Sequence, residues 1–256
     1  MTRLIGISSL ILMMFLLVAP GYAKEDEEPS ASDKAEAYAK DFKKNAKNMT
    51  SSEQMEAIDK LVGYYTDKAV TEKGAKKAIM DGLSKMTVVR DKNVIAHTMK
   101  KVAAMGEDSV KLVLPTLNRE LTQKAPDESV YEAALATLAK IRSENKLVIK
   151  TLTKLLKDKE NEIVGLAARA IAGYEGSSGK VRKELFEEVL KSTEGVYSGA
   201  QGQNQTLERK WNVIGDDAVD ALSKLAHVKL ADPAVARKWF NENKKKNWDP
   251  KPTKKK

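Results

Sequence analysis

The sequence contains no cysteine, only two histidines and few aromatic residues, which make up 5% of its 256 residues. Without cysteine the chain can form no disulfide, thiolate metal site or cysteine nucleophile. The histidines, His97 and His227, belong to no H-E-x-x-H motif, and there is no G-x-S-x-G nucleophile elbow. We therefore predict no catalytic residue, no metal site and no cofactor, so the protein is expected not to be an enzyme.

A repeated pattern between Val94 and Tyr174 dominates the rest of the sequence. Its three copies begin at Val94, Val130 and Ile163, so that the starts lie 36 and 33 residues apart. Each copy has large apolar residues at its first, ninth and twelfth positions, a spacing that places them on one stripe of a helix. An acid precedes each start by three residues, where it suits a helix N-terminus. These acids are Asp91, Asp127 and Glu160.

A second amphipathic run follows each copy, so the predicted unit is a helix–turn–helix pair. The three runs are Val110–Leu121, Lys146–Leu156 and Val181–Leu190. One such pair cannot bury its own apolar stripe and must stack on its neighbours. A period in this range is typical of stacked repeat proteins.

The V-x-x-A-A-x-x-x-L-A pattern after an acid resembles HEAT repeats, in their short bacterial form, over Asp91–Thr193. The resemblance implies an all-α, armadillo-like fold, a short α-solenoid of antiparallel helix pairs. Around the three repeats at 91–193 we predict atypical helical repeats at 33–90, with a capping box at Ser51-x-x-Gln54, and a C-terminal helical cap at 206–243. The end of the chain also resembles the last element of secreted bacterial HEAT-repeat proteins.

Residues 1–23 have the pattern of a secretory signal peptide. Arg3 precedes an apolar run at Leu4–Val18, and Pro20–Ala23 provides small residues before a cleavage point after Ala23. The run of 15 residues is shorter than the roughly 20 that a membrane-spanning helix needs, which favours cleavage over an uncleaved anchor. The protein is therefore expected to be exported, to the periplasm or the medium.

Three segments show no helical stripe. Residues 24–32 are predicted to be a disordered acidic leader, residues 194–205 a flexible glycine-containing loop, and residues 244–256 a disordered basic tail. The repeats at 91–193 and the cap at 206–243 are joined by that loop.

The positive charge is concentrated at the C-terminal end of the sequence. Lys244–Lys256 holds seven lysines and one aspartate, and once this tail and Arg3 are set aside the net charge of +9 falls to +2. This distribution argues against a nucleic-acid partner, which would need basic residues clustered on the fold itself. The tail alone could contact anionic lipid, glycan or other envelope polymers.

These observations predict a non-enzymatic scaffold of the bacterial cell envelope that presents a curved helical surface to a protein or peptide partner. Two alternatives stay open: an enzyme or enzyme accessory, since HEAT-like repeats also occur in bilin lyases, and an envelope tether acting through the lysine-rich tail. Outward positions of the second helices and one tryptophan form the candidate partner-binding surface. These residues are Arg119, Lys150, Lys154, Lys183, Glu187 and Trp211.

Overall fold

The computed structural model describes residues 28–249, which form eleven α-helices and contain no β-strand. The predicted all-α solenoid is confirmed. The helices are α1 (Ala31–Asn45), α2 (Ser51–Thr66), α3 (Lys73–Met86), α4 (Lys92–Val102), α5 (Val110–Leu121), α6 (Glu128–Ile141), α7 (Lys146–Leu155), α8 (Asn161–Ala172), α9 (Gly179–Gln201), α10 (Gln205–Ala226) and α11 (Pro233–Asn243).

The helices pack in two layers. The first layer places α2, α4, α6, α8 and α10 side by side in chain order. In the second layer α1 packs on α3, α7 on α9, and α9 on α11. Helices α5, α7 and α9 also pack against α6, α8 and α10, so each second helix contacts the first helix of the following pair. Each pair therefore completes the interior of its neighbour, as expected for a stacked repeat.

The predicted apolar stripe is the core of the stack. Eight of its nine positions are at least nine-tenths buried, and Ile141 is partly exposed but packs against the same cluster. Asp91 and Asp127 cap α4 and α6, accepting hydrogen bonds from the backbone N–H groups of Asn93 and Val130. Glu160 occupies the same position before α8 but caps nothing, as expected for a side chain one methylene longer.

The prediction of a flexible loop at 194–205 is wrong. Helix α9 continues to Gln201, and only Gly202–Asn204 separate it from α10. The apolar stripe of α9 extends to Val196, which is buried. Gly199 lies against the side chain of Leu207, where any β-carbon would collide with it. This glycine therefore permits close packing of two helices and does not break one.

Three other boundaries differ from the prediction. Helix α1 begins at Ala31, inside the predicted leader, because Ser30 and Asp33 form a capping box. The box that opens α2 is shifted by one residue, to Thr50 and Glu53. The cap predicted at 206–243 starts one residue earlier, at Gln205, where α10 begins and from which it runs as one helix through Gly215.

The described residues do not cover either end of the chain. The predicted signal peptide, part of the leader and residues 250–256 lie outside them. Between residues 28 and 249, no helix is long and apolar enough to cross a membrane.

The role of the stripe can be tested at Leu138, which is fully buried in α6. Leu138→Ala should lower the free energy of unfolding by about 2–5 kcal/mol, because it leaves a cavity between stacked helices. Leu147→Ala is the matched control, since Leu147 is 63% exposed at the start of α7. Denaturant unfolding followed by circular dichroism measures both changes, and equal effects would contradict this assignment of the core.

Candidate functional site

The outward residues predicted on the second helices do not form one free surface. Lys150 and Lys154 are exposed on α7, as predicted. Arg119 instead donates a hydrogen bond to the carbonyl of Thr87, in the turn after α3. Its guanidinium group therefore joins two neighbouring repeats.

Lys183 and Glu187 lie on α9 and are also engaged within the chain. The Lys183 ammonium donates to the carbonyls of Lys244 and Lys246, at 2.8 and 3.1 Å. The Glu187 carboxylate forms an ion pair with Lys191 at 2.9 Å. Between α7 and α9 the remaining lysines alternate with Glu144 and Glu184, so this face carries little net charge.

Lys183 holds in place a C-terminal segment, Lys244–Asp249, that was predicted to be disordered. That prediction is wrong for these six residues. The indole of Trp248 packs on the rings of Phe186 and Trp239, with centroids 5.4 and 5.1 Å apart. A tryptophan among lysines was the signal in the sequence, since a ring of this size gains much from burial.

A buried arginine also binds the C-terminal segment through a hydrogen bond to its backbone. Arg182 is only 2% exposed, and its guanidinium donates to the carbonyls of Ser177 at 3.2 Å, Leu225 at 2.8 Å and Trp248. Burial lowers the pKa of this guanidinium below its ordinary value. The three carbonyls satisfy the donors of the buried cation, so Arg182 joins the start of α9, the end of α10 and the C-terminal segment.

The sixth predicted residue, Trp211, lines an open surface cavity, which we call the aromatic groove. Its volume is about 710 Å³. The edge of the Trp211 indole meets the Tyr197 ring at a centroid distance of 5.1 Å. The groove is lined by Tyr197, Trp211, Asn212, Gly215, Asp216, Val219, Asp220, Ser223, Lys229, Leu230, Ala231 and Asp232.

Helix periodicity explains how α10 builds one wall of the groove. Its lining residues follow a spacing of three or four, so they share one face of the helix. Gly215 follows Trp211 by four residues, and a β-carbon there would come within 2.8 Å of the indole. The missing side chain thus lets the ring lie flat along α10. The turn Lys229–Asp232 forms the facing wall.

The groove is acidic. It is lined by three aspartates and one lysine. Asp220 pairs with Lys224 at 2.9 Å, and Asp232 caps α11 through the Val235 N–H. Asp216 is exposed and forms no ion pair with any residue between 28 and 249. The sequence analysis missed these carboxylates because they align with Trp211 only when residues 205–226 are taken as one continuous helix.

The aromatic end of the groove is linked to the acidic wall. Burial, and then the charge of Asp232, raise the pKa of the Tyr197 phenol above its ordinary value. The phenol therefore stays protonated at neutral pH and can donate a hydrogen bond. A small separate cluster of buried residues, Val164, Val196 and Ile214, supports this end of the groove from beneath, with Leu207 and Trp211 packed against it.

Both histidines have partners within the fold. His97 lies 2.7 Å from a carboxylate oxygen of Asp59, which also pairs with Lys101 at 2.7 Å. The His227 ring lies 2.8 Å from the carbonyl of Glu175. Over residues 28–249, no three His, Asp or Glu side chains are grouped as ligands for a metal ion.

No family model and no curated protein matches the sequence. Among solved structures, the chain is similar to three described as engineered proteins of the Northeast Structural Genomics Consortium. One is 22% identical over 75% of this chain and 79% of its own, with a TM-score of 0.41. A second is 20% identical over 81% and 86%, with a TM-score of 0.43. A third is 22% identical over 81% and 50%, with a TM-score of 0.41.

The importance of the C-terminal segment can be tested by truncation. Ending the chain after Asn243 should lower the free energy of unfolding by about 2–4 kcal/mol, because it exposes aromatic rings and leaves Arg182 without one acceptor. A chain ending after Asp249 is the matched control and should unfold like the full chain. Thermal and urea unfolding report the difference, and equal stability of the two truncations would show that Trp248 and its neighbours add nothing.

Proposed function

We propose that this protein is an exported, non-enzymatic interaction scaffold of the HEAT-like class, acting in the bacterial cell envelope. The signal-peptide pattern at residues 1–23 supports export, and the acid-capped repeats at 91–193 support the class. The stack serves as a rigid support, and the partner is a protein or peptide that binds in the aromatic groove.

One observation carries the proposal: the aromatic groove combines size, aromatic surface and unpaired charge. Its volume of about 710 Å³ lies within the range of roughly 300–1,000 Å³ that is usual for ligand sites. Tyrosine and tryptophan are the side chains most often found to carry the binding energy of an interface. Elsewhere, the predicted outward residues Arg119, Lys183 and Glu187 already have partners within the chain.

The chemistry of the groove suits binding better than proton transfer. The Asp232 carboxylate accepts a hydrogen bond from the first turn of α11, and the Asp220 carboxylate forms an ion pair with Lys224. The walls come from α10 and from the turn before α11, which pack on the core through buried residues such as Leu222 and Leu230. A preformed groove of this kind loses little entropy when a partner binds.

A photo-crosslinking amino acid distinguishes the aromatic groove from the second-helix face. Placed at Asn212, which lines the groove and is exposed, it should capture a partner from envelope extract. Placed at the exposed Lys154 on α7, it should capture none. Capture at Lys154 and not at Asn212 would move the site to the second helices and overturn the assignment.

A substitution at the rim of the groove measures how much an aromatic side chain contributes to the binding free energy. Tyr197→Ala should weaken binding of the captured partner by about tenfold or more, because an aromatic anchor at an interface typically contributes 1–2 kcal/mol or more. Tyr64→Ala, a change in the same residue type on α2, is the control. Calorimetry measures both affinities, and the unfolding transition checks that each variant is folded.

A further inference from the structure

We propose that the residues holding the C-terminal segment form a peptide-binding site, and that the segment is its built-in occupant. We call it the strap site, and it consists of Gly179, Arg182, Lys183, Phe186 and Trp239. A partner peptide in which a tryptophan is followed by an acidic residue takes the place of the segment. The strap site shares no residue with the aromatic groove, so this inference goes beyond the proposed function.

The strap site binds the segment mainly through the backbone of the segment. The Lys183 ammonium donates to the carbonyls of Lys244 and Lys246, and the Arg182 guanidinium donates to that of Trp248. The side-chain ammonium groups of the two lysines donate to asparagines of α11 instead. Carbonyls are common to every peptide, so these three bonds accept any segment that follows the same path and do not require lysine.

An aromatic side chain is the first feature that the strap site selects. The indole of Trp248 meets the rings of Phe186 and Trp239 at centroid distances of 5.4 and 5.1 Å. The Lys183 ammonium lies 5.7 Å from the centroid of the same indole, within reach of cation–π attraction. A peptide without an aromatic residue at this place leaves these rings in contact with water, so the site favours tryptophan.

An acidic side chain is the second feature. The Asp249 carboxylate accepts a hydrogen bond from the Gly179 N–H at the start of α9, where the helix dipole favours an anion. A β-carbon at Gly179 would come within 2.7 Å of the backbone nitrogen of Asp249. The glycine therefore leaves the space through which a carboxylate reaches the start of the helix.

Contacts outside the segment hold the strap site in place. Arg182 also donates to the carbonyls of Ser177 and Leu225, which belong to neighbouring elements of the fold. The Phe186 ring stacks on Phe240 of α11 at a centroid distance of 5.3 Å. Since these contacts do not involve the segment, a partner peptide meets a preformed site and little entropy is lost in ordering it.

The segment does not fill the space around it. A cavity of about 190 Å³ is lined by Asn247 and, at the end of α10, by Ala226 and His227. A second cavity, of about 450 Å³, is lined by Asn247 and, on α9, by Glu184. A peptide with a larger apolar side chain at the position of Asn247 buries surface that the segment leaves exposed, and it can therefore displace the segment.

Peptide binding to the chain from residue 24, which retains every described residue, tests the proposal. The probe is a synthetic peptide of residues 244–249, acetylated and amidated, and calorimetry measures its affinity. It should bind the unaltered chain weakly, because the tethered segment competes at millimolar effective concentration. Trp248→Ala in the chain should raise the affinity at least about tenfold, since the occupant loses its aromatic anchor. Asp249→Asn leaves the ring in place and should raise the affinity several-fold, which gives a second background if Trp248→Ala unfolds the chain.

Changes in the peptide and in the strap site identify the contacts. With the Trp248→Ala chain, a peptide carrying alanine in place of its tryptophan should bind at least about tenfold more weakly. Adding Gly179→Ala to the chain should weaken binding of the original peptide by about tenfold, because the new β-carbon occupies the path of the peptide. Gly195→Ala, on the same helix, is the matched control, since a β-carbon there meets nothing within 4 Å.

Each of the following results would overturn the proposal. Equal affinities of the peptide for the unaltered, Trp248→Ala and Asp249→Asn chains would show that the segment occupies no peptide-binding site. Equal binding of the peptide without tryptophan would show that its lysines alone are bound. Equal effects of Gly179→Ala and Gly195→Ala would place binding elsewhere. A dimer of the unaltered chain in sedimentation velocity, dissociated by the peptide, would show that a second copy supplies the occupant.

Discussion

A helix pair with one apolar stripe is not stable alone, and the whole structure follows from that constraint. Val94, Val130 and Ile163 begin successive stripes that become buried only when the next pair is added. Asp91 and Asp127 cap the first helices of two of the pairs, and small residues such as Ala134 and Ala167 let the helices approach closely. The repeat is therefore a requirement for burial as much as a pattern of sequence.

The same constraint explains the last part of the chain. A stack has two ends, and the final stripe has no further pair to cover it. Here α11 and the C-terminal segment cover it, through Phe240 and Trp248 against Phe186. Arg182 is buried beneath them at the cost of its hydration, which three backbone carbonyls replace. Within the segment that looked like a charged appendage, Trp248 thus packs against the core.

The sequence predicts most of the stack and little of the groove, for physical reasons that differ. Periodicity locates α5 at its observed bounds, because long amphipathic stripes are a strong local signal. It fails at Gly199, whose close neighbour Leu207 lies on another helix and is known only once the two helices are packed. It also fails at Gly215, which makes room for the Trp211 ring on the same helix. Trp248 was missed because the lysines around it outweigh one aromatic residue in any average of composition.

The small cluster beneath the groove has a consequence for how this protein could change over time. Val164, Val196 and Ile214 form a cluster separate from the main core, at the far end of the long α9–α10 hairpin. Val164 belongs to α8, whereas Val196 and Ile214 belong to the hairpin, so substitutions at Val196 or Ile214 alter a local unit outside the main core. The shape of the aromatic groove above this cluster could thus change under selection while the stack retains its stability, which makes the hairpin tip the natural place for related chains to diversify.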